Sequence, residues 1–429
     1  VRLLVISPDY ASHLLPLATL ATAWQDRGHE VTVATGPATA PIVADSGFAH
    51  VELSLGRGAN AGVMRTAQQQ ADEASSLEGF FSATRLGMVE TLTYQAKERL
   101  IDLMWDPVGR GRQTLELIDR VRPDRILVDH LAFSARMAMQ AAGVAYGDVV
   151  LGHPTALPVP GELYGVPPFW PRAFDPDAES LAALRVLAAE VSERFTAQWN
   201  DAASEIDPAA PVVSDAFASH GDTVLYNYPE QLASGDGRAM ASGVFLGSTL
   251  REEAVDPSIS GWIDEGEPYV YVSFGSFLSV RDDVLARVVE ALRSLGVRAA
   301  IATGAADTSA WGDIPADWLV REYLPQVRLL GSAAAAITHG GNNSVTEACA
   351  QGVPLVVLPF STDQFAGAAA LERTGVGVAC DPNRAGAAEL ADAVARQLRP
   401  DAASPALRAG MRRDGRERPG PLRAFDALA

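Results

Sequence analysis

The sequence predicts an α/β protein of two doubly wound domains facing each other across a cleft. Three observations carry that expectation. At 429 residues the chain is too long for one ordinary core. Short buried-type strands alternate with helical segments in two separate series, the pattern of parallel sheets covered by helices. Between the series lies a stretch rich in Gly, Ser, Pro and acidic residues, which reads as a linker. The expected division is 1–247 for a first domain, 248–268 for the linker, 269–400 for a second domain and 401–429 for a C-terminal tail.

In chain order, residues 3–7 read as a buried strand, 14–27 show helical spacing with Gly28 as the stop, and 31–35 form the next strand. The same order returns at 125–129, through a helix to Ala142, and at 145–151, with a further strand at 223–227. The second series runs from a strand at 269–274 through a helix at 282–295 to strands at 298–303, 333–338 and 354–358. Two stretches, 45–99 and 153–199, interrupt the first series. Long inserts on such a scaffold usually form binding loops or covers. They carry Phe80, Phe81, Phe169 and Trp170, which together with Phe133 are expected either to wall a bulky apolar ligand or to pack the insert helices. The tail at 412–423 is locally basic and rich in Gly and Pro, and reads as a loose terminus.

Composition narrows the function classes. Hydrophobic residues at 48% and charged residues at 20% fit a soluble globular protein. A net charge of −19 disfavours nucleic acid and anionic membrane, whose phosphates it repels. Cys349 and Cys380 are the only cysteines, too few for a disulfide framework and suited to a reducing cytoplasm. The first apolar run, 3–6, is too short for a signal peptide, and no run approaches the roughly 18 apolar residues of a membrane span. A cytoplasmic location is the expectation.

The residues able to do chemistry gather at strand ends. The strand at 333–338 stops at His339, passes through Gly340 and Gly341, and gives way to a helical pattern. Glycines there admit a ligand close to the backbone, and a helix start offers N–H groups to an anion. Asp363 and Gln364 follow the strand at 354–358 and suit hydroxyl groups, so the combination points to a nucleotide-sugar pocket. Gly275 and Ser276 end the second domain's first strand, where a phosphate-contacting loop belongs. Ser344 and Glu347 also fit an S-x-x-E capping box, which would explain both without a ligand. In the first domain, His13 follows the first strand and can take a proton from a hydroxyl nucleophile near neutral pH. Asp129 ends a strand of the same sheet and can hold the imidazole's tautomer, or merely cap the next helix. Asp175-Pro176-Asp177 reads as a turn and helix cap rather than a metal–diphosphate motif. The dinucleotide, P-loop and serine-hydrolase signatures are absent.

Taken together, Tyr323-Leu324-Pro325-Gln326, His339 to Ser344, Glu347 and Asp363-Gln364 resemble the donor signature of the GT-B glycosyltransferases of plant natural products and bacterial antibiotics, including the macrolide type. Val272-Ser273-Phe274-Gly275-Ser276 and the pair His13/Asp129 extend the resemblance to both domains. It implies the GT-B architecture and inverting transfer from a UDP- or dTDP-linked sugar to a hydroxyl of a hydrophobic aglycone, with no metal ion and no cofactor beyond the sugar nucleotide. By position, His13 would be the general base and Asp129 its partner. His339, Gly341, Asn343 and Ser344 would hold the diphosphate with Ser276. Glu347 would bind the ribose, Asp363 and Gln364 the sugar, and Gln326 and Tyr323 the nucleobase. Phe80, Phe81, Phe133, Phe169 and Trp170 would contact the acceptor. The sequence departs from the family pattern at Tyr323, where Trp is frequent, at Asn342, where plant members often have Trp, and at Ser12, where Gly is usual. A single lysine, Lys97, amid abundant Ala and Arg suggests a GC-rich bacterial genome and the antibiotic branch. A nucleotide-sugar epimerase and a non-catalytic sugar-nucleotide-binding activator are the alternatives.

Overall fold

The computed structural model describes residues 1–60, 71–101, 103–254, 256–264, 266, 268–275 and 281–429. Thirteen strands fall into two sheets. The first holds β1 (Arg2–Ile6), β2 (Glu30–Thr35), β3 (Ala49–Glu52), β4 (Arg125–Asp129), β5 (Gly147–Val150), β6 (Thr223–Tyr226) and β7 (Gly243–Phe245), in the order β3-β2-β1-β4-β5-β6-β7. The second holds β8 (Tyr269–Ser273), β9 (Arg298–Ala302), β10 (Leu319–Arg321), β11 (Ala335–Thr338), β12 (Leu355–Val357) and β13 (Gly377–Ala379), in the order β10-β9-β8-β11-β12-β13. Neighbouring strands pair in parallel in both sheets. The central ones are apolar along their length because helices cover both faces: Leu3, Leu4, Val5 and Ile6 of β1 and Val270 and Val272 of β8 are fully buried. This is the expected pair of doubly wound domains.

Strand order fixes where a ligand can sit. In the first sheet the order reverses between β1 and β4, and in the second between β8 and β11. Loops leaving the carboxyl ends of such a strand pair diverge to opposite faces and leave a crevice. His13 follows β1 and Asp129 ends β4; Gly275 follows β8 and His339 follows β11. These four residues therefore lie at switch points, whereas Asp363 and Gln364 follow β12, one strand further out.

Three segments differ from expectation. The insert expected at 153–199 includes most of one long helix, Ala178–Ile206, capped by Asp177, whose carboxylate accepts from Ser180 N at 2.8 Å. The segment read as a linker contains the helix Pro257–Asp264, and its Ile259 and Ile263 are buried against the second sheet. The tail is not loose. Its helix Pro405–Glu417 packs on the second domain, and the helix Gly420–Leu428 returns to the first, laying Phe425 against Trp24 with ring centroids 5.1 Å apart. The basic residues that suggested looseness are used locally: Arg423 pairs with Asp414 at 2.6 Å.

Candidate active site

The two switch points face one cavity of about 1160 Å³, lined from both domains. On the first-domain side, His13 lies in the first turn of the helix Ala11–Gln25, with its Nδ1 2.7 Å from Asp129 Oδ2. Asp129 is fully buried, and its other oxygen accepts from Leu131 N at 2.8 Å. Both carboxylate oxygens are thus fixed, and Nδ1–H donation leaves the lone pair on Nε2. Burial lowers the basicity of His13, but the charge and hydrogen bond of Asp129, helped by Asp363, outweigh it and raise the imidazole above its ordinary value. A second pair stands beside the first. His130 Nδ1 is 2.9 Å from Asp148 Oδ1, and Arg136 Nε lies 3.1 Å from Asp148 Oδ2. Burial and Arg136 depress His130, which remains neutral.

On the second-domain side, β11 delivers His339 into a slot between two glycines. A Cβ on Gly275, whose φ is +70°, would stand 2.8 Å from His339 Cε1, and one on Gly341 would overlap Nε2. Burial pushes the His339 imidazole down to about 4, so it is neutral, and its buried Nδ1 has no partner. Gly341 is the N-cap of the helix Asn342–Gln351, and no side chain caps it. The capping-box reading of Ser344 and Glu347 therefore fails: Ser344 sits inside the helix, and its hydroxyl donates to Gln326 Oε1 at 3.3 Å. Glu347 is also engaged elsewhere. Its Oε1 accepts from Arg251 at 2.7 Å and its Oε2 from Gln326 Nε2 at 2.6 Å. Burial raises the Glu347 carboxyl, against the pull of Arg251. Arg251 also holds Glu253 at 2.6 Å. Sequence reasoning missed Arg251 because it lies in the supposed linker; the only signal was a cation beside two acids, Arg251-Glu252-Glu253. Tyr323 is 67% exposed at the cavity rim, near Leu324 and Gln326.

Hydrogen bonds cross the cleft beside the cavity. Asn343 Nδ2 donates to Ser12 O at 2.8 Å, Asn342 Nδ2 to Asn227 O at 3.0 Å, and His153 N to Asp363 Oδ2 at 2.6 Å. Asp363 Oδ1 accepts from Thr362 Oγ1 at 3.0 Å. Gln364 is turned onto its own loop: its Oε1 accepts from the N–H groups of Phe360 and Ser361 at 3.0 and 3.2 Å, and its Nε2 donates to Ser361 Oγ at 3.2 Å. Sequence alone assigned Gln364 no such structural task. Ser276 lies outside the described residues.

Among the five rings expected at the acceptor, Phe133 lines the cavity. Phe80 and Phe81 do not line it. The helix Ala71–Leu86 turns them into the core under the second sheet, with Val270 and Val272, although Phe80 borders a smaller cavity of about 390 Å³. Trp170 packs on Phe365 at 5.4 Å, and Phe169 lies outside the lining as well. The apolar wall is made instead by Leu15, Leu55, Leu103, Trp105, Tyr164 and Val166. Among the described residues no three His, Cys, Asp or Glu side chains are grouped to hold a metal ion, and no helix is long and apolar enough to cross a membrane.

With this geometry in hand, comparison with known proteins shows what the chain is similar to. A family model described as UDP-glucoronosyl and UDP-glucosyl transferase matches residues 251–402, the stretch that carries Arg251, His339, Glu347 and Asp363. Residues 251–402 therefore carry the likeness to this glycosyltransferase family. Glycosyltransferase GtfC of Amycolatopsis orientalis is 26% identical over 96% of this chain and 95% of its own length. NDP-glycosyltransferase YjiC of Bacillus licheniformis is 32% identical over 180 residues, a match that spans 42% of each chain. The crystal structure of the glycosyltransferase VinC in complex with DTDP superposes with a TM-score of 0.68, covering 100% of this chain and 98% of that one at 17% identity, which establishes the GT-B fold. The resemblance drawn from the sequence is correct, and the family match begins inside the stretch that had been read as a linker.

Proposed function

We propose that the protein is an inverting glycosyltransferase that moves a sugar from a UDP- or dTDP-linked donor to a hydroxyl of a hydrophobic natural-product aglycone in bacterial antibiotic biosynthesis. The observation that carries the reading is the His13–Asp129 pair, 2.7 Å apart, in one cavity with an uncapped helix start on the facing domain. In this reading the acceptor hydroxyl gives its proton to His13 Nε2 as its oxygen attacks the anomeric carbon. Asp129 stabilises the imidazolium that forms. Negative charge grows on the departing diphosphate, which meets the N–H groups at the start of the helix Asn342–Gln351 beside His339. These groups are already in place, so no reorganisation accompanies the reaction.

Glu347 retains a ribose role compatible with its two bonds, because a carboxylate accepts at about four lone-pair sites. Tyr323, exposed at the rim beside Leu324 and Gln326, offers its ring to the base. The thymidine-type donor is supported by VinC, which was crystallised with DTDP, and the antibiotic setting by the likeness to the vancomycin aglycone glucosyltransferase of Amycolatopsis orientalis, 33% identical over 166 residues. The test is His13→Ala assayed with a panel of sugar nucleotides and hydrophobic aglycones, reading product mass. The variant is expected to lose transfer by roughly 10²- to 10⁴-fold while still binding nucleoside diphosphate. Transfer within a few fold of the parent enzyme would overturn the assignment.

A further inference from the structure

Among the described residues, Arg99 is a cation with no acid to hold. On the helix Met88–Ile101, it lines both the main cavity and the smaller one that continues past Thr362 towards His339. Its guanidinium lies over the Tyr164 ring, 5.0 Å from the centroid. That contact uses the flat face and leaves the N–H edges, the part of the group that grips a carboxylate with two parallel bonds. Three arginines with buried side chains hold acids: Arg136 with Asp148 at 3.1 Å, Arg238 with Glu162 at 2.7 Å, and Arg281 with Asp283 at 2.8 Å. Among the described residues no carboxylate pairs with Arg99. Glu98, next on the helix, instead accepts from Ser76 Oγ at 2.5 Å. Asp363, the acid whose field reaches both Arg99 and His13, accepts from His153 N and Thr362 Oγ1.

The wall is shaped around this group. Gly165, at φ +81°, stands where any Cβ would overlap the Arg99 guanidinium. Desolvation disfavours the cation more than the fields of Tyr164 and Asp363 favour it, so a directly bonded anionic oxygen group would stabilise it. We propose that Arg99 is the recognition point for a carboxylate on the acceptor, so that the aglycone is an acid and not merely a hydrophobic alcohol. This rests on the reading that the first-domain half of the cavity takes the acceptor. A bound acid would have its hydroxyl presented to His13 and its carboxylate anchored at Arg99, fixing which hydroxyl reacts.

The experiment uses a matched pair of probes, 6-hydroxy-2-naphthoic acid and its methyl ester. Their binding is measured by calorimetry and their glucosylation by product mass, with the parent enzyme, Arg99→Gln and Arg99→Lys. The parent is expected to bind the acid about tenfold or more tighter than the ester, as a charge-assisted pair requires. In Arg99→Gln the acid-to-ester ratio falls to near one, and Arg99→Lys, which keeps the charge but not the fork, restores part of it. Thermal melting of each variant reports whether it is folded. Equal binding of acid and ester by the parent, or binding of neither, overturns the proposal. So does a loss of uridine or thymidine diphosphate affinity in Arg99→Gln as large as the loss for the acid, which would place the anion on the donor. Arg99-dependent binding of the acid with no sugar transfer to either probe would uphold the anion site and count against the transferase reading. Equal transfer to both probes would do the reverse.

Discussion

Replacing Asp129 with Asn tests the catalytic pair through the sign of a pH shift. In the parent enzyme two effects oppose each other at His13: burial, the larger single influence, lowers its pKa, and the charge and hydrogen bond of Asp129 together overcome it. Asp363 adds a smaller upward pull. The net result is a base that loses its proton only above its ordinary value of 6.5. Because the neutral imidazole is the active form, kcat/KM should rise with pH through a limb above 6.5. Asp129→Asn removes the two upward influences that outweigh burial and leaves burial opposed only by Asp363. The limb should therefore move from above 6.5 to below it. The plateau should fall at the same time by about 10²- to 10⁴-fold, since an asparagine can hold the imidazole in the wrong tautomer and cannot stabilise the imidazolium. The assay is kcat/KM for one donor–acceptor pair between pH 5 and 9. A limb that stays in place, or moves up, would refute the coupling. A plateau within a few fold of the parent would show that Asp129 holds structure only.

Three further substitutions probe the frame around the site. Gly341→Ala keeps an acceptable backbone, since φ is −60°, yet its Cβ overlaps His339 Nε2; it should weaken nucleoside diphosphate binding about tenfold, the worth of one charge-assisted hydrogen bond, as read by calorimetry. Unchanged affinity would remove His339 and the helix start from the donor site. Arg251→Met strands Glu347 and Glu253 without their cation and should cost about 3 kcal/mol in urea unfolding, the low end for a buried pair because Arg251 keeps about a fifth of its side chain in water. Phe425→Ala should cost about 2 kcal/mol, since the ring is only partly buried against Trp24 and beneath Arg27 at 4.3 Å; a smaller loss than 0.5 kcal/mol would mean the last helix is an ornament of the fold.

Much of the fold could be read from the chain because its central strands are buried on both faces and so appear as short apolar runs. The strands that escaped reading, β3, β7, β10 and β13, are outer ones of three or four residues, too short to show a period. At the site, Asp129 and His339 were legible because each sits directly at the end of a readable strand, and His13 because it opens the readable helix that follows one. Phe80 and Phe81 were misread because the aromatic character of an insert does not say which domain's core it enters. Arg251, Arg99 and His130 were invisible for a different reason. Their significance lies in what surrounds them, two acids, one unpaired niche and a buried Asp148, and none of these neighbours is close in sequence except Glu253.

The cleft-spanning bonds change how the sugar-facing residues should be understood. Asn343 reaches Ser12 O, the carbonyl beside His13, while Asp363 takes the N–H of His153. Two residues of the donor loops therefore already hold the acceptor domain, one of them next to the base. A sugar that recruits Asp363 must either share its carboxylate with His153 N or displace that bond. Sharing is chemically open, since Oδ2 accepts a single proton there and Oδ1 only that of Thr362. The carboxylate raised by burial then becomes better solvated by sugar hydroxyls than it is in the empty cavity. On the proposed function, a sugar that shared Asp363 with His153 N would link donor binding to domain apposition through one side chain. That linkage gives a physical reason for placing an acid, rather than a neutral amide such as Gln364, at the mouth of the cleft.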